Sequence, residues 1–551
     1  MAQRYEENKV PFTNMTFHPD VPSSALGPNE YNSGFNVETD IRGIRSVLGD
    51  EEILDNLTGT PIFVTGGYRG NGDIWWFIVA TSAGRWYATN GAGAWIDVSP
   101  GGVPLSGYSL DTNITDAWNG TTLFVNDGLH PPMYLTAQAA AFVQYSNDPL
   151  AAPPAYIWNY NDDWSSLTAG WMRLYNTPNV GSILIAGNLT SVDANTSVVT
   201  NFATTVRWSQ AFGLNDGPTT WAPTALNVAN ELEVPVRGPV LDGFPSNGNF
   251  YVCSYWDTVV FSPINFQNAT APVLGVRLFN QGRGLLNSNC WANADSDVYG
   301  VDARDIWVFN GQDFAGLGSQ RIRNYFFENL NVEYSDRVFV ENNTRKSQVE
   351  IYYPDTNSTG WCNKMISYNY LLKVWNAPRD VSNASMACEA PVYGPWPDSS
   401  ELFDPASRTM VYSRGVANTA LVQKDTGYTF LGNTAIASEF RRDNIQLLKD
   451  YSGHLLVHRI LPEVVNLNEG GLPLANSTGN ITVAVGGSNS VGQPPDFQAN
   501  VTIACNTNSP WTQIDQNAYR INSIRLNNTS NSTAWLCSAT TWQYTQTQDD
   551  R

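Results

Sequence analysis

The sequence has few positive charges. Six of its 551 residues are lysine, charged residues make up 15% of the chain, and the formal net charge is −20. Tight nucleic-acid binding needs clustered Lys and Arg side chains, because these displace counterions from the phosphate backbone. No arginine run exceeds Arg441 and Arg442. The composition therefore excludes a protein that grips DNA, but it is compatible with DNA sliding along an acidic, polar wall.

Long hydrophobic segments are also missing. The longest apolar run, Ile74 to Ala80, is far below the roughly 20 residues of a membrane helix. The N-terminal stretch MAQRYEENKVPF is charged and lacks the apolar core of a signal peptide. We expect a soluble chain with neither a secretion signal nor membrane insertion.

Motifs for common cofactors are absent. No Gly-Lys pair occurs, so there is no phosphate-binding P-loop, and no His-Glu-x-x-His zinc motif occurs either. The stretch GAGAWI from Gly91 begins like a dinucleotide fingerprint, but it lies between predicted strands instead of opening a helix. No pair of cysteines has the Cys-x-x-Cys spacing, and we predict six buried thiols without disulfides. These cysteines are Cys253, Cys290, Cys362, Cys388, Cys505 and Cys537.

Two stretches partly match metal-binding motifs. His454 and His458 in HLLVH share one face of a strand or helix, but no third ligand is nearby. The stretch DSDVYG, residues 295–300, begins like a calcium loop, yet Tyr299 and Ile306 replace oxygen ligands. We interpret both as structural and predict no metal and no cofactor. The histidines are His18, His130, His454 and His458.

One stretch, WNYNDDWSSLTAGW, resembles a carbohydrate site. It places Asp162 and Asp163 among Trp158, Trp164 and Trp171, and carboxylates beside indole rings can bind or cleave sugars. We favour a turn whose aromatic rings anchor the core, because adjacent strand residues point to opposite faces and cannot flank one bond. The prediction is that the chain has no catalytic residues. The alternative is a carbohydrate-binding or carbohydrate-cleaving propeller that uses Asp162 or Asp163.

Glycosylation and sialidase signals are also weak. The stretch LNDGPTTW, residues 214–221, is similar to an Asp-box but has the wrong Asp-to-Gly spacing. Asn-x-Ser/Thr sequons are numerous, but without a secretion signal we read them as turn Asn followed by strand Thr. They include Asn14, Asn56, Asn113, Asn188 and Asn268.

Strand and turn signals recur along most of the chain. In YGVDARDIWVFNGQDF, residues 299–314, two aromatic strands flank an Asn-Gly pair, which tolerates the positive φ angles of tight hairpins. Blades of about 40 to 45 residues would fill residues 61–435 with seven or eight repeats. The sequence therefore predicts an all-β fold, a β-propeller of about seven blades. The pairs are Asn71-Gly72, Asn90-Gly91, Asn119-Gly120, Asn247-Gly248, Asn310-Gly311, Asp127-Gly128, Asp216-Gly217 and Asp242-Gly243.

Residues 319–330, SQRIRNYFFENL, lie inside this region and predict a short helix. Beyond residue 435 the sequence changes in character, because the chain becomes more charged before strand alternation returns. We predict three segments: 1–60 as the N-terminal part of a β platform, 61–435 as the propeller, and 436–551 as the C-terminal part of the platform.

The order of several stretches resembles the tail tubular, nozzle or hub (packaged-DNA-stabilisation) proteins of short-tailed bacteriophages. The likeness covers most of the chain and is one of pattern and order, without a catalytic signature. The stretches are PSSALGPNEYNSGFNVETDIRGIRSVLGDEEI, VRWSQAFGLNDGPTTWAP, YWDTVVFSPINF, YGVDARDIWVFNGQDFAGLGSQRIRNYFFENLN, DRVFVENNTRKSQVEIYYPDTNSTGWCNKMISYNYLLKVW and YRINSIRLNNTSNSTAWLCSATTW.

The resemblance implies a structural role without catalysis. It implies a propeller with a β platform, in six copies that form a tube below the portal and its adaptor ring. The expected partners are other copies of the chain, the head-to-tail adaptor, tail fibres, spikes or a needle, and double-stranded DNA in transit. The expected location is the virion tail, after synthesis and assembly in the cytoplasm of the bacterial host. Obvious large insertions of the longer nozzle proteins are missing, so the chain either closes the tail tip or joins a further component.

Overall fold

The architecture is described from a computed structural model of the chain. The described residues are 5–69, 74–92, 94–137, 139–145, 164, 166–177, 181–193, 196–224, 227–264, 274–318, 321–394, 403–432, 434–447, 453–474, 479–490, 492–505, 511–514, 518–529 and 532–547.

The chain is almost entirely β, and its larger part is a seven-bladed β-propeller, which confirms the predicted fold class. Five four-stranded antiparallel sheets follow one another in chain order.

Blade 1 contains β8 (Pro61–Arg69), β9 (Ile74–Thr81), β10 (Trp86–Thr89) and β11 (Ile96–Asp97). Blade 2 contains β12 (Thr115–Asn119), β13 (Thr122–Asn126), β14 (Met133–Leu135) and β15 (Val143–Gln144). Blade 3 contains β16 (Leu167–Thr177), β17 (Gly181–Val192), β18 (Val199–Trp208) and β19 (Asn230–Glu233). Blade 4 contains β20 (Val240–Ser246), β21 (Asn249–Ser254), β22 (Asp257–Pro263) and β23 (Leu274–Gln281). Blade 5 contains β24 (Trp291–Ala294), β25 (Asp297–Val301), β26 (Ile306–Phe309) and β27 (Phe314–Gly316).

A ten-stranded sheet supplies blades 6 and 7. Its strands are β28 (Phe339–Asn343), β29 (Gln348–Tyr353), β30 (Cys362–Asn369), β31 (Val374–Trp375), β32 (Arg379–Tyr393), β33 (Phe403–Arg414), β34 (Leu421–Lys424), β7 (Asp50–Ile53), β35 (Thr429–Phe430) and β36 (Thr434–Ala435). One end of β32 pairs with β30 and is the outer strand of blade 6, and its other end pairs with β33 and is the inner strand of blade 7. The outer strand of blade 7 is β7, which comes from near the N-terminus and pairs with β34.

The first strand of each blade is the innermost, because these strands contact one another around the ring. β12 contacts β16, β16 contacts β20, β24 contacts β28, and β28 contacts β32. The contact of β32 with β8 closes the ring. Strand β7 lies within residues 1–60, the segment predicted to belong to the platform, but it completes the last propeller blade. The N-terminal segment is therefore shared between the two parts.

The platform consists of two six-stranded sheets that combine N-terminal and C-terminal strands. The first sheet contains β1 (Glu6–Pro11), β5 (Val37–Asp40), β6 (Gly43–Ser46), β38 (His454–Leu467), β42 (Thr512–Gln513) and β44 (Ala534–Thr547). The second sheet contains β4 (Ser33–Phe35), β37 (Ser438–Ile445), β39 (Asn480–Ser488), β40 (Asp496–Phe497), β41 (Val501–Ala504) and β43 (Ile521–Asn528).

A few short elements join these sheets. Helix α1 (Arg323–Asn329) confirms the predicted short helix, and the Asp20 carboxylate accepts hydrogen bonds at 2.8 Å from the backbone N–H groups of Asn324 and Tyr325 in its first turn. The remaining elements are the parallel pair β2 (Thr16–Phe17) and β3 (Glu30–Tyr31) and the 3₁₀ turns Ser23–Ala25, Pro100–Gly102 and Val332–Arg337.

Most of the described Asn-Gly pairs form the predicted turns. Asn247 and Gly248 both have positive φ angles between β20 and β21, and Gly311 does so between β26 and β27. The pair Asp242-Gly243 is different, because it lies inside β20 and not in a turn. Its glycine is needed for space, since a Cβ atom at Gly243 would lie 2.5 Å from the Phe250 ring. Reading this pair as a turn signal was wrong.

Glycines beneath aromatic rings recur in the propeller sheets. Gly300 of β25 lies under the Trp307 ring of β26, its partner across the two strands, and Trp307 is fully buried. A Cβ atom at Gly300 would overlap that ring. Similar pairs are Gly66 with Trp75, Gly187 with Trp171, and Gly415 with Trp361.

We predict that Gly300→Ala lowers the free energy of unfolding by about 1–3 kcal/mol, because the added methyl group overpacks the blade. Gly394→Ala is the matched control, since no atom lies within 4 Å of the Cβ position there and its φ angle is not positive. Urea-induced unfolding of both variants measures the effect. Equal stability of the two variants would contradict this packing.

The propeller and the platform share an apolar core. The Phe17 ring of β2 lies edge-on to Tyr325 of α1, with ring centroids 5.6 Å apart. One buried cluster continues from Trp307 and Phe326 on the propeller side to Trp535 on the platform side. Because interiors pack as densely as organic crystals, a continuous core makes the joint stiff.

Candidate functional site

The propeller axis carries polar groups that converge from several blades. A cavity of about 70 Å³ opens on the face of the propeller at which the innermost strands begin. It is lined by Asn113, Ser288, Asn289, Asp336 and Arg337 among others. Small-molecule pockets are usually about 300–1,000 Å³ in volume, so this cavity is too small for a sugar or a nucleotide.

Arg173 of β16 spans the axis below this cavity. Its Nε and Nη2 atoms donate to the two carboxylate oxygens of Asp242 at 2.9 and 2.7 Å. Nη2 also donates to Asn289 Oδ1 at 2.6 Å, and Nη1 donates to the Asp116 carbonyl oxygen at 3.2 Å. One guanidinium group therefore ties blades 2, 3 and 4 to the connection that enters blade 5.

Further bonds extend this network. The Trp291 indole N–H donates to Asp242 Oδ2 at 2.8 Å, and the Arg173 guanidinium lies 5.2 Å from the centre of the Trp291 ring. On the other side, the Thr65 hydroxyl donates to Asp116 Oδ2 at 2.6 Å. Hydrogen bonds thus link the inner strands of blades 1 to 5, and within the described residues polar side chains bridge from blade 3 to the connection that enters blade 5.

Three acidic side chains act electrostatically on Arg173 at the axis, namely Asp242, Asp116 and Glu341. The side chain of Glu341, on β28, makes no hydrogen bond or ion pair with any described residue. Burial raises the pKa of Glu341 well above its ordinary value; the negative charge of Asp116 adds to this shift and Arg173 opposes it. Burial likewise raises the pKa of Asp116, against the opposite effect of Arg173. A buried carboxyl with a raised pKa favours its protonated form.

We predict that Glu341→Gln increases stability above neutral pH. A raised folded-state pKa means that ionising Glu341 costs more in the folded protein than in the unfolded chain, so stability is lost as the pH rises through the folded pKa. The stability gain of the variant should grow from pH 5 to pH 9 in urea unfolding. The exposed substitution Glu469→Gln is the control. A gain that does not change with pH would contradict the assignment.

A second polar cluster, which we call the clamp, joins the platform to blades 6 and 7. Glu38 of β5 pairs with Arg45 of β6 at 2.6 Å and with Lys346 of the propeller at 3.0 Å. Lys346 also pairs with Asp425 at 2.7 Å, and Asp425 pairs with Arg379 at 2.7 Å. All five side chains are at most 14% exposed. This chain of ion pairs runs from the platform into the propeller without a gap.

Arg379 connects the clamp to the strand that closes the ring. It pairs with Asp50 of β7, which is fully buried and accepts a hydrogen bond from the Tyr412 hydroxyl at 3.1 Å. Burial raises the pKa of Asp50 in spite of Arg379. At Glu38, burial also acts to raise the pKa, but Lys346 and Arg45 outweigh it and lower the pKa to about 2. Removing one member of such a network leaves a buried charge without its partner.

The residues of the carbohydrate alternative are only partly described. Asp162, Asp163 and Trp158 lie outside the described residues. Trp164 and Trp171 are buried, and the Trp164 ring lies edge-on to Trp221 at 5.0 Å. These two tryptophans pack in the core of the propeller.

Three further residues considered in the sequence, two histidines and the first residue of the calcium-like stretch, have ordinary local surroundings. His130 Nδ1 lies 2.8 Å from the Asp127 carboxylate, and His458 Nε2 lies 2.8 Å from the Thr545 hydroxyl. Asp295, in the calcium-like stretch, has a positive φ angle between β24 and β25. All six cysteines are free; five are buried as predicted, and Cys388 is partly exposed.

The part of the chain that the structure describes lacks two kinds of feature. The described residues contain no group of three or more His, Cys, Asp or Glu side chains placed to hold a metal ion. Within the same residues, none of the helices has the length and hydrophobicity for crossing a membrane.

We call the hydrogen-bond network around Arg173 the axial network. The sequence alone predicted neither the axial network nor the clamp. Asp116, Arg173 and Asp242 are each more than 50 residues apart and belong to three blades. The clamp joins Asp50 to Arg379 across 329 residues. One signal in the sequence indicates such buried networks, namely a charged residue on an otherwise apolar inner strand. An unpaired buried charge is costly, so a charged residue at such a position needs a partner.

Comparisons with known proteins give structural likeness alone. No protein-family model and no curated protein matches the chain. A crystal structure of BBS1N in complex with ARL6DN is similar with a TM-score of 0.37 and 8% identity, over 69% of this chain and 96% of that one. The crystal structure of Saccharomyces cerevisiae Sqt1 is similar with a TM-score of 0.33 and 10% identity, over 68% of this chain and 99% of that one. Neither likeness bears on function.

Proposed function

We propose that the chain is a structural subunit of the tail of a short-tailed bacteriophage, a nozzle or hub protein without catalytic activity. In this proposal about six copies form a ring below the portal and its adaptor. The ring retains packaged DNA, conducts it during ejection, and anchors fibres or spikes. The order of sequence stretches that resembles nozzle proteins is the starting point of this proposal.

The clamp is the structural observation that carries the proposal furthest. A tube wall under the pressure of packaged DNA must not hinge between its domains. Here Glu38 and Arg45 of the platform are ion-paired to Lys346 of the propeller, and the network continues through Arg379 to Asp50 of the ring-closing strand. Together with the shared apolar core, this joint supports a rigid two-part subunit.

The axial network also limits where DNA could pass. Arg173, Asp242 and Asn289 form hydrogen bonds between inner strands, and the adjoining cavity of about 70 Å³ is too small to hold a DNA duplex. In the proposal, the bore therefore lies between copies and not within one propeller. A net charge of −20 would keep phosphate groups from adhering to its wall, with the basic side chains turned away from the bore.

Phage particles assembled without this chain test the proposal. We expect such particles to package DNA, to lose it before infection, and to regain infectivity when the chain is supplied. Particles that retain their genome and infect normally would overturn the proposal. Sugar hydrolysis by the purified chain that disappears in Asp162→Asn and Asp163→Asn would instead support the carbohydrate alternative.

A further inference from the structure

A basic pocket lies at the junction of blades 4 and 5. It has a volume of about 530 Å³ and is formed by the connection from β23 to β24, the turn between β25 and β26, and the start of α1. Arg283, Arg304 and Arg323 line it together with Asn280, Gln281 and one acidic residue, Asp305. We call it the arginine pocket. Three guanidinium groups in one opening are unusual for a chain with 30 basic and 50 acidic residues.

Two of these arginines lack an acidic partner. Arg283 is compensated by Asp302 at 3.1 Å and by Asp305 at 3.4 Å. Arg304 and Arg323 have no carboxylate within 4 Å among the described residues. The pocket therefore holds uncompensated positive charge.

The geometry of the pocket holds this charge in place. The guanidinium of Arg304 lies 5.1 Å from the centre of the Trp256 ring, and the Nε of Arg323 donates to the Arg304 carbonyl oxygen. Both arginines line the cavity, and their guanidinium groups make no further hydrogen bond to a described residue. Planar guanidinium groups bind carboxylates and phosphates through paired hydrogen bonds.

The surrounding charge favours a short acidic protein segment over nucleic acid. A DNA duplex carries phosphates along its whole length, so it would extend beyond the pocket and meet a surface with a large net negative charge. A pair of carboxylates needs only the pocket itself. The ligand class that fits is therefore a short strand with two glutamate or aspartate side chains on one face.

The chain presents such a strand on its own surface. Glu231 and Glu233 lie on β19, the outer strand of blade 3, which pairs only with β18 in the described sheet. Both are exposed, and neither has a Lys, Arg or His within 4 Å among the described residues. Residues two apart on a strand point to the same face, about 7 Å from each other. We call Glu231 to Glu233 the acidic edge.

Apolar side chains are exposed beside the acidic edge. Leu232 between the two glutamates is 41% exposed. On the neighbouring strand β18, Val199 and Phe202 are 57% and 44% exposed. Contiguous exposed apolar groups with a polar rim are typical of protein contact surfaces.

We propose that the acidic edge of one copy binds in the arginine pocket of a second copy. The two surfaces lie on different blades, so the contact is head-to-tail, and such contacts generate rings when the rotation closes. The inference rests on the proposed ring and names the surfaces that build it. It also assigns Arg304 and Arg323 to contacts between copies and away from a DNA bore.

Charge reversal of each surface tests the contact. The full-length variants are Arg304→Glu with Arg323→Glu, Glu231→Arg with Glu233→Arg, and the fourfold combination. Mass photometry over a concentration series should show association weakened at least about a hundredfold in each double variant, because like charges then face each other. The fourfold variant should regain rings, because its reversed surfaces are complementary again.

Mixing the two double variants gives a signature specific to a head-to-tail contact. In the mixture the intact edge of the pocket variant meets the intact pocket of the edge variant, and the reversed edge of the edge variant meets the reversed pocket of the pocket variant. Both contacts are complementary, so the mixture should form rings in which the two variants alternate, although neither variant forms rings alone. Arg42→Glu with Arg85→Glu is the control for the pocket variant, because it makes the same change in net charge at partly exposed ion pairs elsewhere.

The outcomes separate this inference from the proposed function. Wild-type rings that persist in both double variants would overturn the inference and leave the nozzle proposal standing. A wild-type chain that stays monomeric at high concentration would overturn both. Rings that persist while Arg304→Glu with Arg323→Glu abolishes binding of a DNA duplex would assign the pocket to phosphate and also overturn the inference.

Discussion

Replacing Arg379 with methionine should lower the free energy of unfolding by about 3–5 kcal/mol, which is the usual cost of removing one partner from a buried ion pair. The Arg379 side chain is 4% exposed, and its loss leaves Asp50 and Asp425 without their guanidinium partner. Asp50 is fully buried, so water cannot replace the lost bonds. The effect is large because one side chain serves both the clamp and the ring-closing strand.

Two measurements check this prediction. Urea-induced unfolding at neutral pH gives the stability loss. Amide hydrogen exchange should quicken first in β7 and in the platform strands β5 and β6, while β20 to β22 of blade 4 stay protected. Arg85→Met is the matched control, because Arg85 and Asp97 form a pair that is about one-third exposed, and such pairs contribute about 0–1 kcal/mol. Equal losses for Arg379→Met and Arg85→Met would refute the clamp.

Arg173→Met should destabilise the propeller by a similar amount, about 3–5 kcal/mol. Arg173 is the cation that holds Asp242, which is fully buried, and it offsets the charge of Asp116 and Glu341 at the axis. Without it, three carboxyl groups share a poorly solvated space. Blades 2, 3 and 4 also lose their common hydrogen-bonding partner.

A double-mutant cycle isolates the central pair. Arg173→Met combined with Asp242→Asn should be more stable than the sum of the two single losses predicts, because the neutral amide no longer needs a cation. Urea unfolding of all four proteins gives the coupling free energy. Arg321→Met provides the control, since Arg321 is 46% exposed and pairs with Glu30 near the surface. Additive losses would show that the axial pair is not coupled.

Local signals in the sequence predicted local structure well. The Asn-Gly pairs at Asn247 and Asn310 form hairpin turns, and residues 323–329 form the expected helix, because each depends on neighbouring residues. The same signal was wrong at Asp242-Gly243, where the glycine makes room for Phe250 inside a strand. A dipeptide does not distinguish a turn from close packing between strands.

Long-range features could not be read in the same way. The strand Asp50–Ile53 completes blade 7 by pairing with Leu421–Lys424, and nothing near either segment indicates the other. The axial contact of Arg173 with Asp242 depends on the ring bringing neighbouring blades together. Such contacts follow from topology and not from spacing, so the sequence predicts the blades but not what joins them.

The clamp and the axial network are both built from buried ion pairs that join separate parts of the fold. Ion pairs buried between parts of a fold add little net stability over apolar packing, but they cannot slide without exposing an unpaired charge. We therefore expect the clamp and the axial network to fix the geometry of the subunit more than they raise its stability. A wall segment whose shape must stay constant under load needs that property.

Electron microscopy of the purified full-length chain tests the central claim most directly. We expect closed rings of about six 60.7 kDa copies around an open bore, with propeller and platform in the same relative orientation in every copy. Isolated 60.7 kDa particles at all concentrations, or copies in which the two parts take many orientations, would contradict it.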